Sequence, residues 1–348
     1  MLDGEGGKPS LFLFLYYNLS MTEILYSPIC LDNLKPDCPF NFDLFIKING
    51  KYILYVRNSE GIEEERLDRL KQILKLKEKD VDRIFVRQDE EEKFQNYIGE
   101  SLDKALDDSN MPQDDQANAV LEIVQNSVEV IFNNPESVQA FTLSERTAKG
   151  LRKLVQNNPV VLKQVFNKKG RTTETIETHC KNTATLALKI AFGLGFRGED
   201  LDNLGAAALL HDVGQVNLDK NEQEILFRRP MAKFSQDDKR IYQEHVNHSV
   251  RLVSNKPFVN QKIVTLIAKH EERLGGAGYP KKETKLDLLE QILGFANNFD
   301  KRTTILGQSV QQAYKEIQME EMGNYDLKLF QKLRELLMAD NLFQENKE

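Results

Sequence analysis

A chain of 348 residues is longer than one hydrophobic core usually serves, so its length predicts two domains. A net charge of -7 gives no electrostatic basis for wrapping duplex nucleic acid, and 29% charged and 40% hydrophobic residues are typical of a globular protein. Three cysteines without CxxC spacing argue against a disulfide framework or a thiolate zinc site, so we expect a cytoplasmic protein.

The start of the chain shows no targeting signal. The apolar run at residues 11–17 is too short to span a membrane and follows no basic stretch of the kind that opens a signal peptide. We therefore expect no contact with a membrane. Met21 resembles a conventional start, which leaves residues 1–20 as either a native extension or an upstream stretch outside the fold. We assign residues 1–40 to an N-terminal extension.

Residues 41–112 show the pattern of a small α/β module. Apolar and polar residues alternate over residues 42–57 around Asn49-Gly50, a dipeptide that favours a two-residue hairpin turn. The later patterns predict a helix at 63–76, a strand at 82–87 and a helix at 89–106. We interpret this segment as a regulatory module.

The rest of the chain is predicted to be helical. Met111-Pro112 disfavours helix and marks the end of the module. Beyond it, apolar residues recur at intervals of three and four, which predicts a helical linker at residues 113–143 and an all-helical domain at residues 144–348. The fold class is therefore mainly α, with a C-terminal helical bundle behind a small N-terminal α/β module.

All five histidines lie in the C-terminal half: His179, His211, His245, His248 and His270. One histidine alone on a helix is more often a core or surface residue than a metal ligand. The His211-Asp212 pair, however, ends an apolar helix that would bury it, and a buried carboxylate beside a buried imidazole needs a positive partner such as a divalent metal. The alternative is an aspartate that caps or orients a neighbouring helix.

The order of these motifs resembles the HD-GYP family, the cyclic di-GMP phosphodiesterases within the HD superfamily of metal-dependent phosphohydrolases. The stretch HEERLGGAGYP at residues 270–280 matches the HHExxDGxGYP signature without a gap, and it keeps the first His, the Glu, the first Gly and the final Gly-Tyr-Pro. HDVGQ at 211–215 resembles HDIGK, and ILGFANNFD at 292–300 resembles ILAVADVFD. The resemblance runs from about residue 144 to residue 348.

The resemblance implies an HD-type bundle with two divalent metal ions, iron favoured and manganese possible. A hydroxide between the metals would attack the phosphodiester in line, with Asp212 bridging the metals and Glu272 orienting a ligand or capping the signature loop. The implied metal ligands are His179, His211, Asp212, His245, His270, Glu271, Asn297 and Asp300. His248 lies one turn after His245, but the family pattern HPxxG places the ligand at His245. Thr175 stands where some relatives carry the glutamate of a third metal, so we expect none.

Several positions depart from the family pattern. Gln215 replaces the lysine that faces the substrate phosphate in relatives, and Gly275 replaces the aspartate of the signature. Glu271 replaces the second histidine and would make the site more anionic, which suits iron or manganese. Asn297 replaces a ligand aspartate and is a weaker donor, and Asp300 on the same helix face is the alternative ligand.

The implied substrate contacts are Gln215, Arg273, Gly276, Gly278, Tyr279 and Arg302. A neutral amide at Gln215 keeps a hydrogen bond but loses its charge-assisted part. The glycines allow close approach of the backbone to a ligand, although a tight turn with a packed tyrosine explains the same residues equally well.

Three functions compete. The resemblance favours hydrolysis of the cyclic dinucleotide cyclic di-GMP to the linear dinucleotide or to GMP. Alternatively, the changes at Gln215 and Asn297 have left a degenerate domain that senses the nucleotide or docks signalling proteins through the GYP loop or the N-terminal module. A hydrolase of another phosphoester is the third possibility, and the GYP loop counts against it.

Overall fold

The computed structural model describes residues 25–343 apart from residues 30, 32–33, 36–38, 76–83, 167–174, 219–233 and 257–258. The predictions for residues 1–24, Cys30 and Cys38 lie outside the described residues. The described residues confirm the predicted fold class, mainly α, because a small antiparallel sheet is followed by a bundle of helices.

Four strands form the N-terminal sheet in the spatial order β1-β4-β2-β3, and every neighbouring pair is antiparallel. They are β1 Tyr26–Ile29, β2 Leu44–Ile48, β3 Lys51–Val56 and β4 Ile84–Arg87. The predicted hairpin is confirmed: β2 and β3 meet at Asn49 and Gly50, whose φ angles are 49° and 76°. Both residues tolerate the left-handed region, so they close the two-residue turn with little strain.

The helices begin after the hairpin and continue to the end of the described chain. They are α1 Glu64–Lys75, α2 Glu91–Asp107, α3 Gln113–Asn133, α4 Val138–Asn157, α5 Leu162–Phe166, α6 Ile176–Gly193, α7 Glu199–Leu210, α8 Gln236–Ser254, α9 Gln261–Lys269, α10 Leu288–Asp300, α11 Val310–Glu320 and α12 Leu327–Ala339. Capping boxes at Ser235 and Asp287 fix the first turns of α8 and α10. Within the described residues, no helix is long and apolar enough to cross a bilayer.

The sheet and the bundle share one apolar core. Pro112 stands at the start of α3, where its missing N–H leaves no helical hydrogen bond unmade. The predicted boundary at Pro112 does not divide the core, because one cluster of buried apolar side chains continues from β1 to α12. Glu91 adds a polar link, because its carboxylate accepts hydrogen bonds from the hydroxyls of Ser27 in β1 and Ser137 before α4. The limits assigned to module, linker and domain stay predictions.

Helix α6 is the central helix of the bundle. Every residue from Thr178 to Ala191 is buried. A helix covered on all sides has no solvent face, so α6 lies inside the bundle. Its two lysines find partners inside the protein: Lys181 reaches Gln125, and Lys189 donates to the carbonyl oxygen of Asn158.

Candidate metal centre

Five helices bring polar side chains to one buried point. The contributors are His179 from α6, His211 and Asp212 from the end of α7, His245 from α8, His270 from the end of α9 and Asn297 from α10. Each of these residues is 0% exposed. Burial of so many polar groups in one place costs free energy unless something compensates them.

Gly214 holds the turn after Asp212 against α8. A Cβ at Gly214 would overlap the backbone of α8 at His245 and Ser249. The Gly214 N–H donates to Ser249 Oγ over 2.8 Å. Because glycine lets the two backbones meet, the HDVG motif brings Asp212 next to the histidine of α8.

All four histidine rings turn Nδ1 away from the centre and Nε2 toward Asp212. Nδ1 faces the backbone oxygen three residues earlier in His211, His245 and His270, at 2.8 Å for His211 and 2.7 Å for His270. In His179, Nδ1 lies 2.7 Å from Asp300 Oδ2. These acceptors favour the proton on Nδ1, which leaves Nε2 as the lone-pair donor that each ring directs toward the centre.

The two carboxylate oxygens of Asp212 face two different histidine pairs. Oδ2 lies 3.7 Å from His179 Nε2 and 3.5 Å from His211 Nε2. Oδ1 lies 3.2 Å from His245 Nε2 and 3.6 Å from His270 Nε2. The candidate ligand atoms thus form two groups that share Asp212, and within each group the atoms lie within 4.8 Å of one another. We refer to the pair His179 and His211 as the α6 side, and to the pair His245 and His270 as the α8 side.

This donor set fits divalent metal ions. Both oxygens of Asp212 and Nε2 of His211 are buried without a hydrogen-bond partner among the described residues. His245 Nε2 and His270 Nε2 lie 3.1 Å apart, where two lone pairs repel each other unless a cation separates them. Imidazoles around a shared carboxylate are ordinary ligands of zinc, iron and manganese, and a buried metal would satisfy all of these atoms.

The pKa values at the centre favour binding of a metal ion over binding of protons. Burial lowers the pKa of His211 to about 3 and also lowers the pKa of His270, so these rings are neutral at physiological pH. Burial alone would raise the pKa of Asp212, but the surrounding imidazoles hold it well below its ordinary value. The centre therefore combines an ionised Asp212 carboxylate with neutral rings at His211 and His270, and metal binding requires these protonation states.

Asn297 and Asp300 stand in different layers around His179. Asn297 Oδ1 lies 3.0 Å from His179 Nε2, and its Nδ2 donates to Glu271 Oε1 over 3.2 Å, which fixes the orientation of the amide. Asp300 lies on the Nδ1 side of the same ring, and its other oxygen accepts from the Thr304 hydroxyl over 2.8 Å. Of the two alternatives, the geometry favours Asn297 as ligand and Asp300 as the residue that orients His179.

Glu271 lies near the metal centre, but its oxygen nearer to His270, Oε1, already accepts hydrogen bonds from other side chains. Oε1 is 4.0 Å from His270 Nε2. It accepts from Lys301 Nζ over 2.5 Å and from Tyr242 OH and Asn297 Nδ2 over 3.2 Å each. Three donors exceed the two lone pairs of one oxygen, so these contacts favour an outer role for Glu271 over the predicted role as ligand.

The GYP loop reaches the edge of the centre through Tyr279. Its ring centroid lies 6.2 Å from that of Tyr242, and its hydroxyl is buried without a hydrogen bond to the described residues. Gly278 lies directly on the backbone of residues 271–273, where a Cβ would overlap, and Gly276 has a φ of 77°. The loop is a tight turn that also brings Tyr279 beside the ligand-bearing helix α8.

Glu272 caps the signature loop. Its carboxylate oxygens accept the backbone N–H of Lys281 over 2.6 Å and of Glu283 over 3.0 Å. Of its two predicted roles, these contacts favour capping of the loop over orienting a ligand. Gln215 is buried in the 3-10 turn that directly follows Asp212.

Two predicted phosphate contacts, Arg273 and Arg302, are paired with glutamates. Arg273 Nε lies 3.5 Å from Glu321 Oε2, and its Nη2 lies 3.4 Å from Glu271 Oε2. Arg302 lies 3.2 Å from Glu316 and 2.7 Å from Glu320. These ion pairs favour structural roles for both arginines.

Sequence analysis missed Tyr242 and Lys301. Both lie one helical turn from a candidate ligand, since Tyr242 precedes His245 by three residues and Lys301 follows Asn297 by four. Residues three or four apart share a helix face, so a search of the neighbours of each candidate ligand could have found them.

The geometry agrees with the comparisons. The HD domain family model matches residues 151–329, just over half of the chain, and the chain therefore belongs to the HD domain family of metal-dependent phosphohydrolases. It is similar to the solved structure of Bd1817, an HDGYP protein from Bdellovibrio bacteriovorus, at 28% identity and a TM-score of 0.68, covering 90% of this chain and 100% of that one. Together with its motifs, this likeness places the chain in the HD-GYP group.

A more distant likeness is to V-cGAP3, a cyclic GMP-AMP-specific phosphodiesterase from V. cholerae. The identity is 17%, the TM-score is 0.37, and the match covers 54% of this chain and 50% of that one, so it carries no functional argument. No curated protein matches the chain.

Proposed function

We propose that this protein is a binuclear metal-dependent phosphodiesterase that hydrolyses the cyclic dinucleotide cyclic di-GMP. The observation that carries the proposal is the placement of Asp212, whose two oxygens each face one buried histidine pair. A carboxylate in this position suits a bridge between two metals, and the unmet lone pairs around it supply the remaining donors.

On the α6 side, Asn297 Oδ1 would complete the donor set, and Asp300 would hold His179 in position. Two bound metals would activate a water molecule and neutralise the oxygens of the phosphate. Imidazoles mixed with carboxylate and amide oxygens suit iron first and manganese second. Water is added across one P–O bond, and the leaving oxygen takes up a proton.

The surroundings of the centre support a nucleotide substrate. Leu218, Phe234 and Tyr242 form an apolar cluster with Tyr279 packed against it, and aromatic rings of this kind are suitable surfaces for stacking of bases. Gly278 directly precedes Tyr279 in the GYP loop and lies on the backbone of residues 271–273. The proposed setting is the cytoplasm, on the basis of the scattered cysteines.

A second candidate is a cyclic dinucleotide sensor without turnover, which could dock signalling proteins through the GYP loop or the N-terminal module. Asn297 favours it, because a neutral amide binds metal more weakly than the aspartate of the family pattern. Gln215 favours it as well, since an amide contributes less than a lysine to phosphate binding.

Elemental analysis of anaerobically purified protein, with a hydrolysis assay on the same sample, separates these candidates. Cyclic di-GMP, cyclic GMP-AMP and bis(p-nitrophenyl) phosphate would each be supplied with added iron or manganese. About two metals per chain with a linear dinucleotide or GMP as product supports the phosphodiesterase. Metal with nucleotide binding and no turnover supports the sensor, and absence of metal after reconstitution contradicts both.

A further inference from the structure

Lys301 is a cation at the rim of the metal centre that the proposed ligand set does not use. It is the first residue after α10 and opens a π-helical turn over Lys301–Ile305. Such turns are rare and are frequently found at functional sites. The turn begins one residue after Asp300, so the ammonium is placed by the same helix that places Asn297.

Two side chains hold the ammonium in place. Lys301 Nζ lies 2.5 Å from Glu271 Oε1 and contacts the hydroxyl of Tyr242, whose ring centroid is 4.9 Å away. A lysine ammonium has three N–H donors, and the described residues provide partners for two of them. The third donor is available to a ligand.

Lys301 lies at the edge of the α8 side, where its side chain is more exposed than the groups that it contacts. The side chain of Lys301 is 21% exposed, whereas that of Glu271 is 4% exposed. The ring of Tyr242 lies 4.8 Å from the ring of His245 between centroids, and Tyr279 of the GYP loop packs on the same tyrosine. A phosphate that approaches the α8 side would therefore pass the Lys301 ammonium.

The competing basic side chains do not offer the same contact. Arg273 also contacts Glu271, through Oε2, but its other nitrogens are bound to Glu321 and to the carbonyl oxygen of Glu272. Arg302 is bound to Glu316 and Glu320, and Gln215 is neutral. Lys301 also has a carboxylate beside it that offsets its repulsion from a nearby metal. Lys301 thus supplies a positive charge for a phosphate at the edge of the centre. It lies directly after α10, whereas the family lysine lies on the turn that is HDVGQ in this chain.

We propose that Lys301 binds a non-bridging oxygen of the substrate phosphodiester, and that Glu271 and Tyr242 position its ammonium for this contact. The inference rests on the proposed phosphodiesterase function and deepens it. It gives Glu271 a role as the anchor of Lys301 and the orienting partner of Asn297. A charge-assisted contact of this kind changes affinity by about ten- to a hundredfold.

The test compares Lys301→Met and Lys301→Arg with a matched lysine elsewhere on the bundle. Lys262 is also ion-paired, with Nζ 2.6 Å from Asp287 Oδ2, and lies about 12 Å along α9 from His270, so Lys262→Met is the control. For each metal-loaded protein we would measure metal content, kcat and KM for bis(p-nitrophenyl) phosphate, and binding of inorganic phosphate.

We expect Lys301→Met to keep the metal content of the wild type while its KM and its dissociation constant for inorganic phosphate rise by about ten- to a hundredfold. Lys301→Arg should recover part of the loss, and Lys262→Met should match the wild type. Unchanged KM and unchanged phosphate binding in Lys301→Met would overturn the proposal while leaving the phosphodiesterase intact. If the wild type binds phosphate through Lys301 but hydrolyses no phosphodiester, the result would contradict the proposed phosphodiesterase function and support the proposed phosphate contact of Lys301.

A second variant covers the case in which Lys301→Met does not fold. Tyr242→Phe removes one anchor and no charge, so KM should rise several-fold with unchanged metal content. A rise in KM in both Tyr242→Phe and Lys301→Arg supports the proposal. Wild-type KM in both variants overturns it.

Discussion

The α6 side and the α8 side of Asp212 are built differently. On the α6 side, the carbonyl oxygen of Asn297 lies 3.0 Å from His179 Nε2 and adds a further donor, and all of the donors are fully buried. On the α8 side, the nearest carboxylate besides Asp212 is that of Glu271, which is bound to Lys301, a side chain that is 21% exposed. In metal enzymes a closed ligand set retains a metal, and an open one admits water or substrate. We infer that the α6 side holds its metal more tightly and that the substrate enters on the α8 side.

The largest expected effect comes from the residue that both sides share. Asp212→Ala removes the bridge and should release both metals, with a loss of activity on the order of a thousandfold. Metal content and turnover of the purified variant provide the measurement. Asp326→Ala, which removes the cap of α12, is the control and should keep both metals. Wild-type metal content in Asp212→Ala would contradict the shared site.

The two sides should respond differently when each loses a histidine. His245→Ala should leave about one metal per chain after dialysis against a chelator, because the α6 side keeps its donors. His179→Ala should leave less, because it opens the tighter side. Elemental analysis of both variants after the same dialysis provides the comparison, and equal residual metal in the two would remove the distinction between the sides.

Acid should weaken the metal-free protein, in part through His211. Burial holds the pKa of His211 at about 3 in the folded protein, against 6.5 as its ordinary value. Between these values the unfolded chain binds a proton that the folded chain does not. The free energy of unfolding should therefore fall as the pH decreases from 7 to 5, by on the order of 2 kcal/mol from this residue. Urea titrations of metal-free wild type and His211→Asn test this, because the variant should lose that part of the slope.

The smallest expected effect couples Asn297 to Glu271. These two departures from the family pattern contact each other, since Asn297 Nδ2 donates to Glu271 Oε1. Asn297→Asp alone would bring two carboxylates together and should destabilise the metal-free protein by about 1 kcal/mol. Glu271→His combined with Asn297→Asp should recover that loss. Thermal melts of the two single variants and the double variant measure the coupling, and additive shifts would show that the pair is independent.

Much of the fold followed from local pattern. The hairpin was predictable because Asn49-Gly50 specifies its turn, and α8 and α10 were predictable because apolar spacing and capping residues agree. The surroundings of α6 were not, because a helix buried on all sides shows no polar face. Its buried lysines resemble surface residues until their partners are known.

The candidate site was predictable where spacing determines it and unpredictable where packing does. The histidines and Asp212 were identified from the motif order, and the structure brings them together. The contacts of Glu271, Glu272 and Lys301 depend on how α8, α9 and α10 pack, and the sequence alone does not indicate that a carboxylate meets a lysine thirty residues later. Because this contact engages Glu271 Oε1, it favours the proposed role of Glu271 as the anchor of Lys301 over the role of metal ligand.

Anomalous diffraction from crystals of the metal-loaded protein tests most directly whether two metals share Asp212. We predict two peaks, one on each side of the Asp212 carboxylate and about 3.5 to 4 Å apart, with the higher occupancy on the α6 side. A single peak or none, or a metal bound away from Asp212, would contradict it.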